Sequence, residues 1–226
     1  MLWLYRFLWI VSFSGIVALL VMASSPRAAR SPITDRWTTI AKGRFEVQVP
    51  FGFTAHRDAL TQMGMNKPNS PIQLQDALRI EHGARTGVQV ILVSIRSDLM
   101  PSSEGGSAVP PEQQAARLLQ QVHEMQLQNL SKVFADLKAV QHRRVSVQRL
   151  LGLRTDFEFT LTHWIPWFNL PARGSLITVP VSQTEALHFV SYCPPHQYEA
   201  FQPAYDRMLN TLRLNPTNAT TASGGW

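Results

Sequence analysis

The sequence predicts an α+β fold, an antiparallel β-sheet flanked by helices. Three observations indicate it: apolar and polar residues alternate before residue 96, change to a helical spacing after residue 111, and alternate again from residue 143. Alternation with a period of two is typical of half-buried strands, whereas an apolar residue every three or four positions is typical of an amphipathic helix. Runs of strands separated by a helix favour an antiparallel sheet with helices on its faces.

The strands before the first helix are indicated by their apolar rhythm. A half-buried strand that stops at Pro50 is predicted by the alternating residues Phe45, Val47 and Val49. Two further strands are predicted on either side of the connection from Gly83 to Gly87, which suits a hairpin. The apolar centre of the second one, Val88 to Val93, indicates that this strand lies inside the sheet.

Two amphipathic helices are predicted. The first starts at Pro111, where a helix tolerates proline, and runs for about five turns. Its apolar positions are Ala115, Leu118, Leu119, Val122, Met125 and Leu130. The second closes the fold, and Pro203 is expected to kink or tighten it. Its apolar face consists of Tyr198, Phe201, Tyr205, Met208, Leu209 and Leu212.

Four strands are predicted between the helices. Their sequences are "RRVSVQRL", "LRTDFEFTLTHW", "GSLITVPVS" and "EALHFVSYCPP". In the second of them Phe157, Phe159 and Leu161 alternate with polar residues. One face of that strand is therefore expected to be exposed to solvent.

The N-terminal segment is apolar. Phe7 to Ala23 is a run of 17 residues without charge or proline. That length lies between the roughly 7–15 apolar residues of a signal-peptide core and the roughly 17–25 of a spanning helix. We expect residues 1–23 to remain as a hydrophobic helix that anchors the chain in a membrane. Cleavage of this segment, which would give a freely secreted protein, is the alternative.

The remaining boundaries follow from composition. Residues 24–35 are rich in Ser, Pro and Ala and are interpreted as a linker, residues 36–214 form the folded domain, and residues 215–226 form a polar tail. Segments like the N-terminal one usually export the chain behind them, which predicts an inner-membrane protein with its domain on the periplasmic or extracytoplasmic side. Arginines on both sides of the apolar run leave the orientation open under the positive-inside rule.

The predicted domain resembles the PsbP-like superfamily, including its bacterial domains of unknown function. The resemblance rests on the opening "FEVQVPFGF", a late pair of strands ending in "ALHFVSYCPP" and the closing helix "YEAFQPAYDRMLNTLRL", and it extends over about residues 36–214. It implies an α/β/α sandwich used mainly for protein contacts. The resemblance to the photosynthetic members of that superfamily implies an extrinsic or assembly subunit of a membrane complex.

Charge and motifs exclude several classes of protein. The formal net charge is +6, but three arginines lie in the first 30 residues, and the rest of the chain carries 18 basic against 15 acidic residues. Nucleic-acid binding is not expected, because it needs a basic stripe on one face. No catalytic motif, cofactor site or metal site is predicted. His188, Cys193 and His196 lie close in sequence, yet Cys193 is interpreted as a small, buried apolar residue.

The segment from Thr162 to Ser175, "THWIPWFNLPARGS", is interpreted as an aromatic loop, because its two prolines disfavour regular pairing. The loop either folds back onto the sheet or forms an exposed apolar tip that contacts a membrane or a neighbouring protein. Nearby arginines, Arg143, Arg144, Arg149 and Arg154, are candidates for a basic patch or for a solvated face. The candidate contact residues are Trp164, Trp167, Phe168, Arg173, Arg143 and Arg144.

These observations together predict a non-enzymatic, membrane-tethered interaction module, an accessory or assembly subunit of a membrane protein complex. The resemblance to the photosynthetic members implies a photosynthetic complex as one candidate. A periplasmic binder of a small ligand, or a hydrolase-type enzyme, is the alternative. The alternative requires a deep pocket lined by convergent polar groups.

Overall fold

Seven antiparallel strands form the main sheet of the computed structural model, which describes residues 36–57, 70–83, 85–96, 111–162 and 169–215. The proposed anchor at residues 1–23, the linker at 24–35 and all but the first residue of the tail lie outside the described residues. So do three of the candidate contact residues, Trp164, Trp167 and Phe168.

The main sheet combines an N-terminal and a C-terminal group of strands. Its order is β3-β4-β5-β9-β8-β7-β6, so β5 and β9 join the two groups at the centre. The strands of this sheet are β3 (Thr54–Arg57), β4 (Ile72–His82), β5 (Thr86–Ile95), β6 (Ala135–Val147), β7 (Leu150–Leu161), β8 (Leu170–Pro180) and β9 (Glu185–Cys193). Within the described residues β3 and β6 are the two outer strands.

A smaller sheet of three strands packs beside the main one. It consists of β1 (Trp37–Lys42), β2 (Phe45–Pro50) and the short β10 (Arg213–Leu214), in the order β1-β2-β10. The buried carboxylate of Asp76 on β4 joins the two sheets, since its Oδ2 accepts a hydrogen bond from the backbone N–H of Arg44 at 2.7 Å. A carboxylate at this position satisfies a backbone donor that the turn after β1 leaves unpaired.

Two helices contact opposite faces of the main sheet. Helix α1 (Pro111–Val133) places His123 against Thr155 of β7, whereas helix α2 (Tyr198–Thr211) places Tyr198 against Asp156 of the same strand. Successive side chains of a strand point to opposite faces, so the two helices lie on different sides. A 3₁₀ turn, Pro195–Gln197, leads directly from β9 into α2.

Most of the predicted elements are confirmed. Strand β2 buries Phe45, Val47 and Val49, and the β4–β5 hairpin has the central position expected for β5. Helix α1 is longer than the five turns expected, because its 23 residues extend to Val133. The face predicted for α2 is buried at Tyr198, Phe201, Tyr205, Met208, Leu209 and Leu212, and Pro203 lies inside this helix.

The aromatic segment is shorter than the sequence predicts. Strand β8 begins at Leu170, and Pro171 is in register with Thr160 of β7, so the expectation that Pro171 prevents pairing is wrong. The reason is the length of the neighbouring strand. Strand β9 ends at Cys193, opposite Arg173, so Pro171 lies beyond the end of β9 and no ladder hydrogen bond is lost on that side.

Candidate interaction surface

The most exposed element of the sheet is its outer strand, β6. This strand of 13 residues runs along β7, which is its only neighbour in the described part of the chain. Every residue from Lys138 to Arg144 is exposed, and the apolar Val140 among them is 54% exposed. Leu150 and Leu151, at the start of β7, are also exposed. An outer strand presents unpaired backbone groups along its free edge.

The two halves of β6 differ in regularity. Its pairing with β7 shifts register between Ala135 and Lys138 and again between Ala139 and Gln141. From Gln141 to Val147 the register is uninterrupted. Bulges twist a strand and hinder pairing along its outer edge, so only the C-terminal half of β6 is a regular template.

Arg143 and Arg144 occupy the regular half of β6 and point to opposite faces of the sheet. Arg143 lies on the α2 side, with its Nη2 atom 3.5 Å from Oδ2 of Asp156. Arg144 is exposed on the α1 side, and its side chain makes no ion pair or hydrogen bond with the described residues. The two cations thus flank the strand edge on both faces.

The four arginines considered for a basic patch do not form one surface. Arg154 is only 7% exposed, and Arg149 lies in the turn between β6 and β7 with φ +70°. The interpretation of Arg154 as a patch residue is wrong, because the acceptors that hold it inward come from Asp156 and from α2. Of the four, Arg143 and Arg144 are the two that β6 exposes.

Arg154 belongs to a buried polar network on the α2 side. Its Nε atom donates to Oδ1 of Asp156 at 2.8 Å, and its Nη2 atom donates to Oε1 of Gln202 at 2.7 Å. The hydroxyl of Tyr198 donates to Oδ1 of Asp156 at 3.0 Å. Burial alone would lower the pKa of Arg154, but the hydrogen bonds and charges of Asp156 and Tyr198 outweigh it and raise the pKa. This network attaches β7, and through Arg143 also β6, to α2.

Arg173 lies in β8 rather than in a loop. It is half-buried, and its guanidinium group lies 4.5 Å from the ring centroid of Tyr198. Its Nε atom is buried without a hydrogen-bond partner. The stacked position removes Arg173 from the exposed tip in which the sequence placed it. The structure therefore separates Arg173 from Arg144, which lies on the other face.

A second polar network runs through the α1 side. The Nδ1 atom of the buried His188 lies 2.9 Å from Oγ1 of Thr178, which is 2.7 Å from Nδ1 of His123. The Nε2 atom of His123 is 2.7 Å from Oγ1 of Thr155, and that oxygen is 2.7 Å from Nδ1 of His142 on β6. We call this series the His–Thr chain. It connects the sheet interior with the outer strand.

Both inner histidines of the His–Thr chain are held neutral. Burial, assisted by the nearby His142, lowers the pKa of His123 to about 4. Burial, assisted by His123, lowers the pKa of His188 to about 3. An imidazolium at either buried position would lose its hydration, and the opposing charge of Glu124 near His123 is too weak to offset that loss. The Nε2 atom of His188 is buried and has no hydrogen-bond partner.

His188 and Cys193 do not form a joint site. His188 is on the α1 side, through Thr178, whereas Cys193 is opposite Arg173 on the α2 side. Burial raises the pKa of the Cys193 thiol to about 11, and Cys193 is fully buried, as the sequence indicated. A nucleophilic cysteine needs a lowered pKa, so these two residues lack the arrangement for such chemistry.

The described residues hold no cluster of three or more potential metal ligands. They do line a polar cleft of about 210 Å³ where β2 and β10 meet the end of α2. Its lining residues are Thr39, Glu46, Val47, Gln48, Asn210, Thr211 and Arg213. Small-molecule sites usually measure about 300–1,000 Å³ and are mostly apolar, so this cleft is too small and too polar for a typical one. None of the described helices is long and apolar enough to cross a membrane.

No protein-family model matches the sequence, and no curated protein matches it. Solved structures do resemble the chain. The cyanobacterial PsbP (CyanoP) from Synechocystis sp. PCC 6803 is 11% identical with a TM-score of 0.42, and the match covers 80% of this chain and 94% of that one. The Ran-binding protein Mog1p from Saccharomyces cerevisiae is 12% identical with a TM-score of 0.44, over 80% and 96% of the two chains.

A third similar structure is LpqN of Mycobacterium tuberculosis, a protein involved in cell envelope biogenesis. It is 10% identical with a TM-score of 0.42, and the match covers 80% of this chain and 91% of that one. The predicted resemblance to PsbP-like proteins is confirmed as a resemblance of fold. At these values the likeness concerns the path of the chain and carries nothing about binding or catalysis.

Proposed function

We propose that this protein is a non-enzymatic interaction module, tethered to a membrane by residues 1–23, that serves as an accessory or assembly subunit of a membrane protein complex. Its α+β domain faces the extracytoplasmic side. The tether is proposed from the uncharged run Phe7 to Ala23. A tethered domain reaches a neighbour in the same membrane at a high effective concentration, so a modest intrinsic affinity suffices.

The observation that carries the interaction role is the exposed edge of β6. All residues from Lys138 to Arg144 are exposed, and the last two of them, Arg143 and Arg144, are adjacent cations. Long outer strands are normally shortened, covered or fully bulged, because they pair with other chains. This one keeps a regular half that no described strand or helix covers, which favours a surface that a partner occupies.

The polar networks favour the same function over catalysis. The inner histidines of the His–Thr chain, His123 and His188, are buried and have lowered pKa values, and the buried Cys193 outside the networks has a raised one. A general acid or base works best with a pKa near the ambient pH and with access to a substrate. The two histidines are instead engaged with Thr155, Thr178 and the core of the sheet.

The proposal is tested by isolating the full-length protein from its native membranes in mild detergent and identifying the proteins bound to it. We expect a stoichiometric membrane protein partner. Recovery of the protein alone would count against the interaction role. N-terminal sequencing of the same preparation tests the tether, because a mature chain that starts at Ser24 would rule it out.

A further inference from the structure

We propose that the regular half of β6 binds a partner by strand addition, and that the added strand carries two adjacent acidic residues. The inference rests on the proposed interaction role and specifies where and with what chemistry the partner binds. The surface involved is Gln141–Val147, which we call the β6 edge.

The backbone of the β6 edge supplies the binding groups. In an antiparallel pair every second residue directs its N–H and C=O away from its neighbour. Because β7 occupies one side of β6 and the described chain leaves the other side unpaired, these groups are available from Gln141 to Ser146, whereas Val147 at the end of the strand is buried. An extended segment can satisfy them with a ladder of main-chain hydrogen bonds.

The strand is held in place before any partner arrives. His142 is fixed from the α1 side by the 2.7 Å contact of its Nδ1 atom with Oγ1 of Thr155. Arg143, the next residue, is held from the α2 side by its ion pair with Asp156. Two consecutive residues are thus tied to opposite faces, which lowers the ordering cost of binding.

Charge decides which segment fits. Between Gln141 and Val147 the β6 edge contains Arg143, Arg144 and no acidic residue. Because these two cations point to opposite faces, a single acid on the partner can oppose only one of them. Two adjacent acids in the added strand would meet one arginine on each face, and opposite charges across neighbouring strands attract.

The same charges oppose pairing with a second copy of this chain. In an antiparallel pair of two β6 edges, centred on the regular segment, Arg144 of one copy lies directly opposite Arg144 of the other. Like charges in directly opposed positions destabilise a ladder. Like charge therefore disfavours pairing of two copies in this register, whereas an acidic strand meets no such repulsion.

The test uses a defined probe and the full-length protein in mild detergent. The probe is an acetylated, amidated decapeptide of Thr and Val with two adjacent central glutamates. One control peptide carries lysines in place of the two glutamates. The other has a proline between the two glutamates, which removes a ladder donor. Hydrogen–deuterium exchange across residues 141–147 reports the site, and fluorescence anisotropy of a labelled peptide reports the affinity.

We expect only the acidic peptide to slow exchange of the 141–147 backbone amides. Arg144→Glu should weaken its affinity about 2- to 30-fold, because an attractive cross-strand pair becomes a repulsive one. Arg117→Glu is the matched control: Arg117 is an exposed α1 residue without a partner in the described structure, and this variant should bind normally. Added salt should weaken the binding of the acidic peptide, because it screens the attraction between exposed charges.

Three results would overturn strand addition at β6: no protection of residues 141–147, equal binding of the acidic and lysine peptides, or a dimer of the protein joined through β6. The interaction role is tested separately by the partner recovered from membranes. If a partner is recovered equally with wild type and Arg144→Glu, strand addition at this edge fails while the interaction role stands. If wild type recovers none, the interaction role fails.

Discussion

The two polar networks behind β6 have opposite electrostatic character. On the α1 side the His–Thr chain contains two histidines that are held neutral, His188 and His123, and extends outward to His142. On the α2 side a guanidinium and a carboxylate, Arg154 and Asp156, form a charged pair that is almost fully buried. Both networks end on consecutive residues of the same strand, His142 and Arg143.

The difference shows how one strand is held by two unlike mechanisms. A neutral hydrogen-bond chain is stable as long as its members stay neutral, so it is sensitive to protonation. A buried ion pair tolerates a change of pH near neutrality but not the loss of one partner. The two faces of the sheet should therefore fail under different perturbations.

The largest effect expected is on the α1 side and depends on pH. The pKa values of His123 and His188 are about 4 and about 3 in the folded chain, below the ordinary value of about 6.5. The unfolded chain therefore binds more protons below pH 6.5, and the free energy of unfolding falls as the pH falls from about 6.5 to about 4. Each histidine contributes up to about 1.4 kcal/mol per pH unit.

Urea unfolding at several pH values measures this slope. His188→Asn should retain a polar side chain while removing one titrating group, and it should reduce the slope between pH 6.5 and 4 by about 1.4 kcal/mol per pH unit. An unchanged slope would mean that His188 is not held neutral in the folded chain. The α1 side would then not be the acid-sensitive one.

The next effect is on the α2 side. Asp156→Asn removes the charge that faces Arg154, which is 7% exposed, and should destabilise the protein by about 3–5 kcal/mol at neutral pH. The double variant Arg154→Met with Asp156→Leu is the matched control, because it removes both charges and should cost markedly less. Chemical unfolding of the three proteins would show this order; equal losses in both variants would mean that packing, not the unpaired charge, sets the cost.

The smallest effect concerns the turn that joins β6 to β7. The Nε2 atom of Gln148 lies 2.9 Å from the carbonyl oxygen of Leu212 and 3.0 Å from that of Asn210, so it caps the end of α2. Gln148→Ala should cost about 1 kcal/mol of unfolding free energy. Arg149→Ala, at the neighbouring exposed position with φ +70°, is the control and should cost less. A loss of equal size in both would indicate strain in the turn rather than a lost cap.

The sequence predicted elements whose pattern is local. Strand β2 and the two helices were predictable because burial of alternate residues, or of one helical face, produces a regular spacing of apolar residues in the local sequence. The N-terminal half of β6 was missed, since an exposed outer strand with two bulges has no such rhythm. Pro171 was misread because the end of β9, which makes proline acceptable there, is set by pairing across the sheet.

The candidate surface was predicted only in part. Arg143 and Arg144 were identified from charge alone, and both are exposed. Their position on an edge strand was not predictable, because strand order depends on contacts between distant segments. Arg154 looked equivalent in the sequence, yet its partners are Asp156 nearby and Tyr198 and Gln202 on α2. The His–Thr chain was not predictable either, because its members are spread over residues 123–188 and meet only in the folded sheet.

The most direct measurement is photocrosslinking in native membranes from a photoreactive amino acid incorporated at position 146 or 131. Ser146 is exposed on the β6 edge, and Ser131 is exposed on α1, so the two positions differ in surface but not in accessibility. If β6 is the docking strand, position 146 will crosslink to a partner protein and position 131 will not. Crosslinks from position 131 with none from 146 would place the partner elsewhere and would be incompatible with docking on β6.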